Sequence, residues 1–181
     1  MHEEIVFSGF GGQGALFAGQ LMTYAGMDAG WEVTWIPSYG PEMRGGTAHC
    51  TVIISDQPIG SPIIRNPTIA VVLNPLSMEK YEWLVKPGGL LVVNSTLVQQ
   101  QTTRDDLEAL YVPANDLASD WGNVKMANVV LVGAMLAKRP IVPLDAVEKV
   151  LDEHLKGRKQ RFIEPNKHAL RRGAQYALTG K

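Results

Sequence analysis

The stretch Ile5-Val6-Phe7-Ser8-Gly9-Phe10-Gly11-Gly12-Gln13-Gly14 decides the fold. A short β-branched and aromatic run meets four glycines, and an apolar segment of helical length follows from Ala15 to Ala29, with Gln20, Thr23 and Asp28 its clearly polar positions. Strand, tight turn and helix start are therefore written in sequence order. Glycines this dense allow positive φ and close approach of a partner, and the helix that follows points free N–H groups at whatever binds there. Gly30 ends the helix and Val33 to Ile36 reads as a second strand, completing a Rossmann-like βαβ unit whose right-handed crossover puts both strands parallel in one sheet. The helix is apolar enough to be covered nearly all round.

The rest of the chain extends that unit. At 181 residues it fits one domain, with apolar residues at 45% and charged residues at 19%, as in a folded globular protein rather than a disordered one. The net charge of −1 gives no pull toward nucleic acid or a membrane surface. The opening Met-His-Glu-Glu is acidic and runs into a strand pattern, unlike a secretory or transit segment, and the apolar run from Met126 to Ala137 is too short to cross a bilayer, so a cytoplasmic location is expected. One cysteine, Cys50, cannot make an intrachain disulfide or supply the several ligands of a cluster or zinc site.

Residues 37–46, Pro-Ser-Tyr-Gly-Pro-Glu-Met-Arg-Gly-Gly, are too rich in Pro and Gly for helix or strand and read as a covering loop. From Thr47 the chain alternates, with Ala48, Cys50, Val52 and Ile54 on one face and His49, Thr51 and Ile53 on the other. Asp56-Gln57 reads as a turn and Pro58-Ile59 as a short return, making part of the sheet antiparallel with the prolines at an edge. Ile69 to Leu73 is a buried strand, Ser77 a cap for a helix to about Val85, residues 86–89 a turn, Leu90 to Val93 a strand ending in Asn94, Ser95 and Thr96, and Tyr111 to Pro113 a further short strand. The part from about residue 123 is helical: Met126 to Lys138 mostly buried, Asp145 to Leu155 amphipathic with Val147, Val150, Leu151 and His154 on one stripe, and a last helix with Pro165 in its first turn and Leu170, Ala174 and Ala177 inward. On the second of these, Asp145, Lys149, Asp152 and Lys156 are spaced as outward i,i+4 charge pairs. The fold class is α/β, a three-layer α/β/α domain with a mostly parallel, partly mixed central sheet.

Gly9-x-Gly11-x-x-Gly14 satisfies the dinucleotide pattern in its strand-to-helix context, yet the second strand ends Trp35-Ile36-Pro37-Ser38 without the acid that would take the ribose hydroxyls. A dinucleotide cradle, a purely structural turn, and a ligand or interface edge of another kind all remain open. Arg44, set between Met43 and two glycines, has the donor fork for a carboxylate or phosphate, or is a solvated surface arginine. His2, His49, His154 and His168 lack metal-ligand spacing, and no nucleophile elbow, Cys-x-x-Cys pair or phosphate-loop lysine is present. Lys156, Arg158, Lys159, Arg161, Lys167, Arg171 and Arg172 form a basic run with one acid, Glu164: a solvated helical face, or a dock for an acidic partner or phosphate-bearing ligand.

Taken together, residues 9–14, the motif Pro-Ser-Tyr-Gly-Pro-Glu-Met-Arg-Gly-Gly-Thr-Ala at 37–48, Ser-Pro at 61–62, Lys-Pro-Gly-Gly at 86–89 and Ala-Asn-Val-Val-Leu-Val-Gly-Ala at 127–134 resemble the gamma subunit of 2-oxoacid:ferredoxin oxidoreductases over about residues 4 to 155. That resemblance implies a complex oxidising 2-oxoacids to acyl-CoA with electrons passed to ferredoxin. Thiamine diphosphate with Mg and the iron-sulfur clusters would sit on thiamine-binding and ferredoxin-like partner chains, with no cofactor bound by this chain alone and the coenzyme A side nearby. Contact with substrate, coenzyme A or a partner chain is then expected at Gly11, Gly12, Gln13, Gly14, Ser38, Tyr39, Arg44, Gly45 and Gly46, with no catalytic or metal-binding residue. Within the family, an indolepyruvate oxidoreductase subunit is the alternative; outside it, a purely structural assembly subunit.

Overall fold

The computed structural model describes residues 1–39, 47–120 and 123–181, Tyr39 by its backbone alone. Six strands, β1 His2–Phe10, β2 Glu32–Tyr39, β3 Thr47–Ser55, β4 Ile69–Val72, β5 Leu90–Asn94 and β6 Glu108–Val112, form one sheet in the order β2-β3-β1-β4-β5-β6. β3 runs antiparallel to both its neighbours, and the β1–β4, β4–β5 and β5–β6 pairs are parallel. The mixed, mostly parallel α/β architecture expected from the sequence is present.

The order differs from the local reading in one respect. β1 and β2 do run in the same direction, but β3 lies between them, pairing Phe7 with Cys50 on one side and Pro37 with Cys50 on the other. The connection after β2 is shorter than a parallel crossover requires, so the chain returns antiparallel beside β2. β3 is interior, and the edge strand is β2, where Pro37, lacking an N–H, is tolerated. Pro37, Ser38 and Tyr39 thus belong to a strand rather than to the loop, whereas Pro58-Ile59 is not a strand.

Among the described residues six α-helices accompany the strands: α1 Ala15–Asp28, α2 Pro75–Tyr81, α3 Ala114–Ser119, α4 Ala127–Lys138, α5 Leu144–His154 and α6 Ile163–Thr179. The core on one face joins Ile5, Phe7, Cys50, Val52 and Ile54 of the sheet to α1, α3, α4, α5 and α6; the smaller core on the other joins Val6, Ala70, Val72, Leu91 and Val93 to Met78 and Tyr81 of α2. Ala127 to Leu136 are all buried, as a helix apolar all round must be. Gly133 and Gly173 let α4 and α6 touch through their backbones, since a Cβ on either would stand 1.9 Å from a carbonyl oxygen of the other helix.

Three local expectations are corrected by packing. α1 buries one broad face and leaves Met27 57% exposed, because only the sheet, α4 and α5 reach it. α2 is capped by Asn74, whose side chain accepts from the Ser77 N–H at 2.9 Å, so Ser77 is the donor and not the cap. On α5, Val147, Val150 and Leu151 are buried, but His154 is exposed and stacks on Tyr24 with ring centroids 3.9 Å apart. Its charges look outward along other lines: Lys149 pairs with Asp28 and Glu153, and Asp152 with Lys167.

Candidate functional site

β1 and β4 are parallel neighbours, but the chain leaves them in opposite directions. α1 carries β1 onto one face of the sheet and α2 carries β4 onto the other. Where helices part in this way the carboxyl ends of the two strands are left open, and an α/β sheet binds ligands there. The glycine turn occupies that crevice.

The turn is held by its own backbone and one side chain. Gln13 N donates to Phe10 O at 3.0 Å, and Phe10 N donates back to Gln13 Oε1 at 2.7 Å. Gly12 and Gly14 take φ of +98° and +81°, which favours glycine, and a Cβ at Gly9 would lie 2.8 Å from Gln13 Oε1, so that the Gln13 side chain would have to shift. Gly14 is the N-cap residue of α1, with no side-chain cap and no acid in the first turn. The first N–H groups of a fourteen-residue helix are thereby left for water or an anion.

A polar cluster extends across the crevice. Asn74 Nδ2 donates to Gln13 Oε1 at 3.0 Å, Ser8 and Ser77 share a hydroxyl hydrogen bond of 2.9 Å, and Asn94 Nδ2 donates to Asn115 Oδ1 at 2.7 Å. Asn94 Oδ1 is buried without a partner among the described residues. Ser38, His49 and Ser8 stand in register across β2, β3 and β1, so the end of β2 shares the edge that carries the turn. His49 is half-buried beside Tyr81, ring centroids 6.0 Å apart; burial, and then the charge of Lys80, lower its pKa below the usual imidazole value. The neutral ring is the form kept at neutral pH.

Of the residues expected at the site, Gly11, Gly12, Gln13 and Gly14 form the turn, Ser38 is exposed at the same edge, and the Tyr39 backbone pairs with Ala48 on the neighbouring strand β3. Arg44, Gly45 and Gly46 lie outside the described residues. Sequence reading missed Asn74 and Asn128. Asn128 is 3% exposed in an otherwise apolar run, and that lone polar position was the available signal. Its Nδ2 donates to Gly14 O at 3.0 Å, 114 residues away in sequence.

On the other side of Gly14 lies a cavity of about 300 Å³, lined by Gly14, Phe17, Lys125, Asn128, Lys159 and Asn166, with Asn123, Met126, Leu155 and Phe162 completing its walls. Among the described residues no group of three His, Cys, Asp or Glu is placed to hold a metal ion. Cys50 points away from the crevice into the main core, where burial pushes its thiol up to about 12, so the described residues do not fit an iron-sulfur cluster. No helix among them is long and apolar enough to cross a membrane.

The family described as pyruvate ferredoxin/flavodoxin oxidoreductase matches residues 4–176. The ketoisovalerate oxidoreductase subunit VorA of Methanothermobacter thermautotrophicus is 35% identical over 96% of this chain, which spans 36% of that relative's length. The 2-oxoglutarate synthase subunit KorC of Methanocaldococcus jannaschii is 35% identical over 90% of this chain and 89% of its own. Among solved structures, the gamma subunit of a keto/oxoacid ferredoxin oxidoreductase from Geobacter sulfurreducens superimposes with a TM-score of 0.86 at 33% identity, over 98% of this chain and 97% of that one. The 2-oxoglutarate:ferredoxin oxidoreductase of Magnetococcus marinus, which holds 2-oxoglutarate, coenzyme A and succinyl-CoA, shares the fold with a TM-score of 0.88 at 21% identity, over 98% of this chain and 31% of that one. By that match and those relatives, the chain belongs to the pyruvate ferredoxin/flavodoxin oxidoreductase family.

Proposed function

We propose that the chain is the gamma subunit of a thiamine diphosphate-dependent 2-oxoacid:ferredoxin oxidoreductase, a cytoplasmic assembly that decarboxylates a 2-oxoacid oxidatively to acyl-CoA and passes electrons to ferredoxin. The observation that carries this reading is the near end-to-end correspondence with a separate subunit, KorC, at 35% identity. Thiamine diphosphate with Mg and the iron-sulfur clusters supply the carbon–carbon cleavage and electron transfer, and they belong to the thiamine-binding and ferredoxin-like partner chains.

This chain contributes an anion-binding edge. The open N-terminus of α1, the positive-φ glycines Gly12 and Gly14, and the backbone at Gly11, in a turn that Gln13 holds in shape, suit a coenzyme A phosphate or the carboxylate of the 2-oxoacid. Ser38, Tyr39, Arg44, Gly45 and Gly46 complete the contact from the end of β2, with Arg44 the charged member. None of these groups is a nucleophile or a proton donor matched to the chemistry, so the isolated chain is inactive.

The test is reconstitution with partner chains. Arg44→Ala is expected to raise the Michaelis constant for coenzyme A or for the 2-oxoacid, and unchanged constants with unchanged turnover would remove Arg44 from the site. Hydrogen exchange at residues 9–14 separates two roles: protection by coenzyme A supports a ligand site, and protection by partner chains alone supports a purely structural subunit. A survey of 2-oxoacids, indolepyruvate included, identifies the substrate.

A further inference from the structure

Resting on the subunit reading above, we infer that the surface of the α2 layer around Trp83 and Ile63 is where this chain binds one partner subunit of the complex, the chain that resembles the part of VorA lying outside this fold.

The second face of the sheet is thinly covered. Five helices pack on the first face, whereas among the described residues α2, of seven residues, is the one α-helix on the second. It lies over β1, β4 and β5. Ile36 of the edge strand β2, in register with Thr51 and Val6 on this face, stays exposed. Loops flank the helix on both sides: Asn66 Nδ2 donates to Leu84 O at 3.0 Å, and Gln100 Nε2 donates to Glu82 Oε2 at 3.4 Å. The helix, the turn after it and these loops carry Leu76, Trp83, Leu97 and Ile63 outward, with Trp83 64% and Ile63 71% exposed. A single exposed leucine needs no explanation, but a tryptophan and three aliphatic side chains on one thin layer mark a surface that is covered in use.

Two sequence motifs that the glycine turn leaves unexplained meet here. Ser61, from Ser-Pro at 61–62, and Lys86, from Lys-Pro-Gly-Gly at 86–89, line one open recess of about 350 Å³ with Glu4, Ile63, Arg65 and Asn66. It sits toward the amino ends of β1 and β4, away from the crevice at their carboxyl ends, so it takes no part in the ligand edge. Its polar members form a rim. Lys86 pairs with Glu4, Arg65 forms no ion pair with a described residue, and Lys80 and Glu79 are exposed on α2. A partner surface with an apolar centre and an acidic margin fits that arrangement.

The occupant follows from how relatives of two lengths hold together. This fold is 36% of the length of VorA, where a neighbour on the same polypeptide is kept at high effective concentration by the covalent link. A separate subunit such as KorC, matched over 89% of its length, has no such tether. It must hold the same neighbour through buried surface, and an exposed tryptophan is the residue type that carries most of such binding energy. A second copy of this chain would cover the apolar centre but would bring two basic rims together.

The experiment uses the co-expressed complex. Photo-reactive benzoyl-phenylalanine replaces Trp83, and mass spectrometry identifies the chain that it captures on irradiation. Capture of the subunit similar to the rest of VorA is expected; capture of a second copy, of a different subunit, or of nothing in an intact complex overturns the inference. In a second measurement the wild type, Trp83→Gln, Ile63→Gln and Met27→Gln, each checked for folding by circular dichroism, are titrated against the remaining subunits. Trp83→Gln should weaken binding about thirtyfold or more and Ile63→Gln about fivefold or more, as loss of a central and a lesser anchor warrants. Met27→Gln, on the first face, should bind as the wild type does. Wild-type affinity in Trp83→Gln overturns the inference while leaving the subunit reading intact. Failure of the wild-type chain to bind any 2-oxoacid oxidoreductase subunit overturns both.

Discussion

The carboxamide oxygen of Gln13 accepts from Asn74 Nδ2 at 3.0 Å while also accepting from Phe10 N at 2.7 Å. One side chain thereby ties the turn after β1 to the cap of α2, across the point where the chain departs to opposite faces of the sheet. Gln13→Ala leaves the Phe10 N–H and the Asn74 amide without that acceptor, and unfolding in urea should show a loss of about 1–3 kcal/mol. A double-mutant cycle with Asn74→Ala should return a coupling of about 0.5 kcal/mol or more, and strict additivity would mean that the bond does not link the two elements.

The α4–α6 crossing should tolerate no side chain at its centre. Gly133→Ala and Gly173→Ala each drive a methyl against a backbone carbonyl oxygen of the facing helix, at 1.9 Å before relaxation. A backbone cannot yield as a flexible side chain does, so each should cost about 3 kcal/mol or more. Gly60→Ala, where a Cβ would meet nothing within 4 Å, is the control and should stay within about 0.5 kcal/mol. Equal thermal midpoints for all three would refute the close crossing.

Cys50 should be silent toward thiol reagents in the folded protein. Burial raises its thiol from its ordinary 9.0 to about 12, so almost no thiolate exists at pH 8, and reaction should appear only on denaturation. The folded state holds the proton that the unfolded state releases, so this group's contribution to stability is full below pH 9.0 and falls as pH rises from there toward about 12. Rapid labelling without denaturant would contradict the burial.

His49 should behave in the opposite sense. Its pKa is lowered below 6.5 by burial first and by Lys80 second, so the unfolded chain binds the proton more readily. The contribution to stability is present above pH 6.5 and is lost as pH falls through the folded value. Titration of the imidazole by NMR should place its midpoint below 6.5, and Lys80→Met should move it upward. A midpoint unaffected by that substitution would remove Lys80 as a cause.

The sequence by itself determined the elements and the turn. The β1-turn-α1 passage, the alternation of β3, the apolar run of α4 and the inward stripe of α6 depend on spacing within one segment, and spacing is local. Tertiary structure decided the rest, because sheet order, cap choice and side-chain partners depend on residues far apart in the chain. β3 separates β1 from β2 because it can pair with both; Asn74, not Ser77, is the cap because α2 begins at Pro75 directly after it, leaving Ser77 N–H to donate to Asn74; His154 stands outside the core, stacked on Tyr24. The candidate site divides in the same way. Gly9 to Gly14 could be read from the glycines alone, whereas Asn128 joins Gly14 only after α4 has packed against the main face, and the basic run separates into paired and unpaired charges only once α5 has brought Glu148 and Asp152 against α6.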